Sequence, residues 1–154
     1  MTKQLKEIVI EKDRAVFWLD SNGHWHNKHG RFEHRKIIDF FHASIRKDKD
    51  GYYVAQETET YKEKVYFRYE DTALFVFNVT RNKDIHLLLN TKKRIKLDPE
   101  KLFIRNDSLY VKDGEEPVKF TEKSMMKMSK YMESDNDGYF IKINDKTYKI
   151  PVKH

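Results

Sequence analysis

Cysteine is absent from this chain. Its absence excludes disulfide frameworks, thiolate nucleophiles and cysteine-ligated zinc or iron–sulfur sites. Glycine is scarce, at five residues, and proline scarcer, at three, so each glycine is expected to mark a loop or turn. Long apolar runs are missing too. In the opening MTKQLKEIVIEKDR the longest is Ile8-Val9-Ile10, and no stretch approaches the roughly 20 residues that span a bilayer. The reading is a soluble, cytoplasmic protein with no membrane association. Nor does one sign of charge dominate. Lys and Arg number 31 against 25 Asp and Glu, interleaved throughout, for a net charge of +6. That pattern reads first as a Lys-biased solvated surface, and only second as a polyanion-binding one.

Aromatic residues are abundant. They make up 14% of the chain, while hydrophobic residues as a whole reach only 38%. Ten Phe, nine Tyr and two Trp must therefore supply much of the core, because each buries a large area. Such a composition argues against disorder. At 154 residues the chain can bury roughly two-thirds of its unfolded surface, so it needs no metal or disulfide to fold.

Two stretches echo one another: KDKDGYYV, Lys47 to Val54, and SDNDGYFI, Ser134 to Ile141. Around the first, Ala15–Leu19 reads as a buried strand, Asp20-Ser21-Asn22-Gly23 as a turn and His24–His26 as the return. A helix is expected over His34–Lys47, with Ile37, Ile38, Phe41 and Ile45 on one face and Gly51 as its stop. Tyr52–Ala55 and the alternating KVYFRYE then pair. Around the second, Leu102–Ile104, a tight turn and Leu109–Val111 lead to a helix capped by Thr121. That helix carries Met125, Met128 and Met132 inward and stops at Asp137-Gly138. A hairpin across Asn144-Asp145 follows. Between the copies, LFVFNV and IHLLLN are apolar on both faces, as central strands are. Leu5–Ile10 is a further candidate strand. The expected fold class is α+β: antiparallel sheets from two pseudo-repeated ββ-α-ββ units, one helix packed on each. The expected division is 1–72 for the first repeat with its N-terminal strand, 73–100 for bridging strands and 101–154 for the second repeat, as one compact unit or two tightly joined halves.

WLDSNGHWH, the helix after it, KDKDGYYV and KVYFRYEDTALFVF together resemble a bacterial family known as domain of unknown function 1285. Its D-x-x-G-x-W turn is matched by Asp20, Gly23 and Trp25, its D-G-Y/F by Asp50, Gly51 and Tyr52, and its V-E-D segment in part by Tyr69-Glu70-Asp71. The family pattern continues with proline where this chain has Ala73. The resemblance implies two repeated strand-and-helix motifs and a signalling or binding role, and it brings no catalytic residues.

The chemistry-bearing candidates are few. His24, His26 and His29 in GHWHNKHG could take zinc, nickel or copper; the bland alternative is polar histidines beside a structural Trp25. ESDNDG, Glu133 to Gly138, resembles the front of a calcium loop, but its twelfth position is Asn144, which cannot supply the bidentate carboxylate. Lys92, Lys93, Arg94 and Lys96 form the densest basic run. It is either a phosphate-contacting patch, helped by exposed aromatics such as Tyr66, or a charged sheet edge. No phosphate loop, nucleophile elbow or H-E-x-x-H is present.

The leading reading is a non-catalytic binding or regulatory module of signalling type, needing no cofactor. Its ligand would be a small molecule or a protein, bound in a cleft between the repeats, with Trp25, Arg68, Glu70 and Asp71 as candidate contacts. Nucleic-acid binding through Lys92–Lys96 comes second and a histidine-based metal-dependent enzyme third. Oligomeric state is left open.

Overall fold

The computed structural model describes residues 5–154. It divides into two compact units, one running to Ala73 and the other covering Leu74–His154. Unit 1 holds β1 (Lys6–Ile10), β2 (Phe17–Leu19), β3 (Trp25–Asn27), β4 (Gly30–Arg31), helix α1 (Arg35–Ala43), β5 (Ile45–Asp48), β6 (Gly51–Glu57), β7 (Tyr61–Tyr66) and β8 (Arg68–Tyr69). Its sheets run β1-β7-β6-β5 and β4-β3-β2-β8. Unit 2 holds β9 (Phe75–Arg81), β10 (Ile85–Leu89), β11 (Arg94–Lys96), β12 (Leu102–Arg105), β13 (Ser108–Asp113), β14 (Glu116–Phe120), helix α2 (Glu122–Ser129), β15 (Met132–Asp135), β16 (Gly138–Ile143) and β17 (Lys146–Ile150). Its sheets run β11-β10-β9-β14-β13-β12 and β15-β16-β17.

The α+β expectation is overturned. Strands take 52% of the described residues and helices 15%, in four sheets among those residues. The two α-helices among the described residues are only nine and eight residues long. Parallel pairs (β1 with β7, β2 with β8, β9 with β14) also enter the sheets expected to be antiparallel.

The physical reason lies at the helix ends. Ile45–Asp48 leaves the helix to pair with β6, Ile45 opposite Val54 and Asp48 opposite Gly51. Met132–Asp135 likewise pairs with β16, Asp135 opposite Gly138. A single buried residue at position 45 satisfies both periodicities, and an adjacent hairpin partner decides the outcome. Gly51 (φ 121°) and Gly138 (φ 123°) therefore close β-hairpin turns and do not stop helices. Each turn is tied by an aspartate: Asp50 N donates to Asp48 Oδ1 at 2.9 Å and Asp137 N to Asp135 Oδ1 at 2.7 Å. In the calcium-like segment Asp135 is thus a turn-former, and Glu133 lies on β15 opposite Phe140.

The helices bury what their shortened faces allow. In α1, His42 is buried and Phe41 half-buried, while Ile37 faces solvent. In α2, Thr121 Oγ1 accepts from Ser124 N at 3.2 Å as the N-cap. Met128 is fully buried, and Met125 and Met132 pack against the same core. That core joins Val76, Leu87, Leu102, Val111 and Val118 to Ile141 and Ile150. The apolar bridge strands of the sequence are β9 and β10, interior members of the six-stranded sheet.

From β2 to β7 and from β12 to β17 the elements come in the same order: three strands, a helix, three strands. Past the last strand of each run the chain returns, parallel, to the first. Leu19 faces Tyr69 and Glu70 N donates to Leu19 O at 3.0 Å. Ile104 faces Val152 and Lys153 N donates to Ile104 O at 2.7 Å.

Two hairpins use non-glycine residues in the left-handed region: Asn106 (φ 50°) with Asp107 (φ 62°), and Asn144 (φ 50°) with Asp145 (φ 68°). Paired positive φ suits the twist of a two-residue hairpin, but asparagine followed by glycine suits it best. Asp107→Gly and Asp145→Gly are each expected to stabilise the protein by about 0.5–1 kcal/mol by removing the side-chain strain. Chemical-denaturation midpoints check this. No helix among the described residues is long and apolar enough to cross a membrane.

Candidate functional site

A cavity that combines an aromatic face with charges of both signs lies in unit 1 on the sheet β4-β3-β2-β8. Strand alternation sends Phe17 and Leu19 into the core and leaves Trp18 half-exposed on the other face. Trp25 and Phe67 are buried with Phe17; Trp25 packs edge-on against Phe17, Phe41 and Phe67 at 5.7, 5.3 and 5.0 Å. The outward positions line up in register across four strands: Arg31 opposite His26, His26 opposite Trp18, Trp18 opposite Arg68. Cross-strand neighbours share a face, and the Trp18 and His26 rings stack at 5.7 Å with 8° between planes.

The turn joining β2 and β3 is held by Asp20. Its Oδ1 accepts from Asn22 N and His24 N, both at 2.9 Å. Its Oδ2 meets His26 Nε2 at 2.7 Å. Burial pushes this carboxyl up, but the hydrogen bonds from His24, His26 and Asn22 outweigh it and hold Asp20 below the usual aspartate range. Gly23, at φ 83°, closes the turn with its N donating to Asp20 O at 3.2 Å.

On the other side of β2, the returning strand β8 brings Arg68 and Glu70 to the same face. Glu70 Oε2 accepts from Ser21 N at 3.0 Å. Arg68 makes no side-chain hydrogen bond or ion pair among the described residues. Trp18, Leu19, Arg68, Tyr69 and Glu70 line a cavity of about 330 Å³, at the small end of ligand sites, which run from about 300 to 1,000 Å³. One aromatic face, one guanidinium and one carboxylate converge there. That set can hold and orient a small charged molecule.

Of the four ligand contacts expected from sequence, the fold brings Arg68 and Glu70 into this cavity. Trp25, at 1% exposure, is a core ring, and Asp71 is half-buried outside the lining. Trp18 was missed because Ala15–Leu19 reads as uniformly buried. In fact Val16 is exposed and the strand alternates. Register alone, set by the Asp20–Gly23 turn, could have placed Trp18 opposite His26.

The histidines do not converge. His26 is engaged by Asp20, and His29 lies at a different cavity of about 440 Å³ beside the start of α1. No group of three or more His, Asp or Glu among the described residues is placed to hold a metal ion. In the basic run, Lys93 pairs with Asp113 at 2.7 Å and Lys96 with Asp84 at 3.7 Å. Arg94 and Lys96 lie on β11 at the edge of the six-stranded sheet. Tyr66, expected to be exposed, is buried and donates to Asp48 Oδ2 at 2.7 Å, where Lys64 Nζ also sits at 3.1 Å. The Tyr66 bond is the chief cause that lowers Asp48 and raises Tyr66 itself.

The sequence matches no family model and no curated protein. Two solved structures are similar. A DUF1285 family protein from Silicibacter pomeroyi DSS-3 aligns with TM-score 0.61 and 11% identity over 95% of this chain and 84% of its own. A DUF1285 family protein from Shewanella baltica OS155 aligns with TM-score 0.52 and 16% identity over 75% of this chain and 91% of its own. The family resemblance read from the sequence thus holds in three dimensions: the chain has the fold of these DUF1285, domain-of-unknown-function proteins.

Proposed function

We propose that this protein is a non-catalytic binding module whose small-molecule ligand sits against Trp18 in unit 1, with a regulatory, signalling-type output. The observation that carries the reading is the convergence of Trp18, Arg68 and Glu70 on one cavity, two of them from the returning segment that begins at β8, far from Trp18 in sequence. The lining suits binding better than turnover. Arginine stays charged at any working pH and cannot shuttle a proton, and Glu70 is already hydrogen-bonded to backbone.

A thermal-shift screen of charged metabolites tests this. A compound that stabilises the wild type is expected to lose at least about tenfold in affinity on Trp18→Ala, or roughly 1.4 kcal/mol. A panel in which every stabilising compound is indifferent to Trp18→Ala would overturn the assignment. So would turnover of a substrate abolished by Arg68→Ala or Glu70→Gln.

A further inference from the structure

Unit 2 repeats the aromatic platform of unit 1 with the charge reversed at two positions beside its rings. Phe103 on β12 stacks on Tyr110 of β13 at 5.1 Å and 8°, the cross-strand position that Trp18 and His26 occupy at 5.7 Å and 8°. The two frames align through the returning segments, because Lys153 N bonds Ile104 O as Glu70 N bonds Leu19 O. In that alignment Arg105 stands where Asp20 stands, and Lys153 where Glu70 stands.

Unit 2 uses both cations on its rings. Lys153 Nζ lies 4.5 Å from the centre of Phe103. The Arg105 guanidinium lies 4.6 Å from Tyr110 and 5.9 Å from Phe103. Unit 1 has carboxylates at both places. Asp20 is turned to its own hairpin and His26. Glu70 bends to Ser21 N, and the ground beside Trp18 is the open cavity of about 330 Å³.

We infer that the ligand presents a cation, an ammonium or a guanidinium, to the Trp18 ring with Glu70 as its counter-ion, filling the position that Lys153 fills on Phe103. The inference rests on the Trp18 cavity being the binding site. An indole face is negative and is the strongest aromatic partner for a cation, and a carboxylate beside it adds to the same potential. Arg68, with no partner among the described residues, then takes an anionic group on the same molecule. The ligand class is a small zwitterion with a cationic head.

Two matched pairs separate charge from shape. Arginine is compared with citrulline, and glycine betaine with 3,3-dimethylbutanoate, by calorimetry and by quenching of Trp18 fluorescence, with Trp18→Phe as the control for the signal. At least one charged member is expected to bind about tenfold or more tighter than its neutral-headed isostere. Glu70→Gln should erase that preference. Glu70→Lys should abolish binding by laying its own ammonium on Trp18. Thermal melts confirm that both variants are folded. Equal affinities within both pairs, a preference that survives Glu70→Gln, or no heat from any of the four probes at millimolar concentration overturns the inference. If ligands of another charge bind and are lost on Trp18→Ala, the site stands and only the cation reading falls. If nothing is sensitive to Trp18→Ala, both fall.

Discussion

Trp25→Ala is expected to cost about 3–5 kcal/mol, the range for emptying a buried tryptophan site. The ring is 1% exposed and is packed by Phe17, Phe41 and Phe67 edge-on and by the buried His42 ring at 5.6 Å. Removing it leaves β2, β3, α1 and the approach to β8 without a common packing partner. A loss of that size is a large part of a typical folding free energy of about 5–15 kcal/mol, so urea denaturation should show a marked fall in midpoint. Trp25→Phe is the informative control. The Trp25 Nε1–H is buried with no hydrogen-bond partner among the described residues, and such a donor is unfavourable by about 1–3 kcal/mol. Phenylalanine gives up packing area but also removes that donor, so its net cost should stay below about 2 kcal/mol. Ligand binding at Trp18 should be unaffected by Trp25→Phe. A selective loss of binding in a fully folded Trp25→Phe protein would return Trp25 to the site.

Asp20→Ala is expected to destabilise by about 2–3 kcal/mol, because three donors converge on one carboxylate whose side chain is only 17% exposed. Asp20→Asn keeps the shape and should cost less, about 1–2 kcal/mol. The pH dependence has a definite sign. Asp20 is held below its ordinary value of 3.8 in the folded protein. A group lowered by folding contributes in full above its unfolded value and loses that contribution as pH falls through the folded one. The gap between wild type and Asp20→Asn should therefore be constant near neutrality and narrow below about pH 4. Melting curves at a series of pH values read this directly, and a gap that widens in acid would contradict it. Because Asp20 also fixes the His26 ring behind Trp18, Asp20→Ala should weaken any ligand held on that ring.

The hairpin turns at Asp20–Gly23 and Asn144-Asp145 were readable in the sequence, because those residues meet backbone requirements that few others meet, whereas the two Asp-Gly pairs read as helix stops and proved to be hairpin turns. The helix ends were not readable. Ile45 and Met132 fit a helical stripe and a strand equally well, and the choice was made by Val54 and Ile141 on the partner strands, which no local window contains. That same ambiguity turned a mostly β chain into an α+β expectation. Arg68 and Glu70 could be picked out as charges at a strand end. Their neighbour Trp18 could not, since the contact depends on a parallel pairing between segments far apart in the chain. The charge reversal between Asp20 and Arg105, and between Glu70 and Lys153, became visible only once the backbone bonds to Leu19 and Ile104 set the two frames side by side.

The returning segments also bear on kinetics. In unit 1 the closing contact joins Ser21 to Glu70, 49 positions along the chain, and β1 meets β7 over a comparable stretch. Closing a loop of that length exacts its entropy before any reward, so domains rich in such pairings fold on a scale of about milliseconds to seconds. The Trp18 cavity is walled by one of the long-range closures of its unit. Hydrogen exchange at Leu19, Tyr69 and Glu70 should therefore report the loosening of that wall before the hairpin of β5 and β6 opens, and an occupant wedged between Trp18 and Glu70 would slow it.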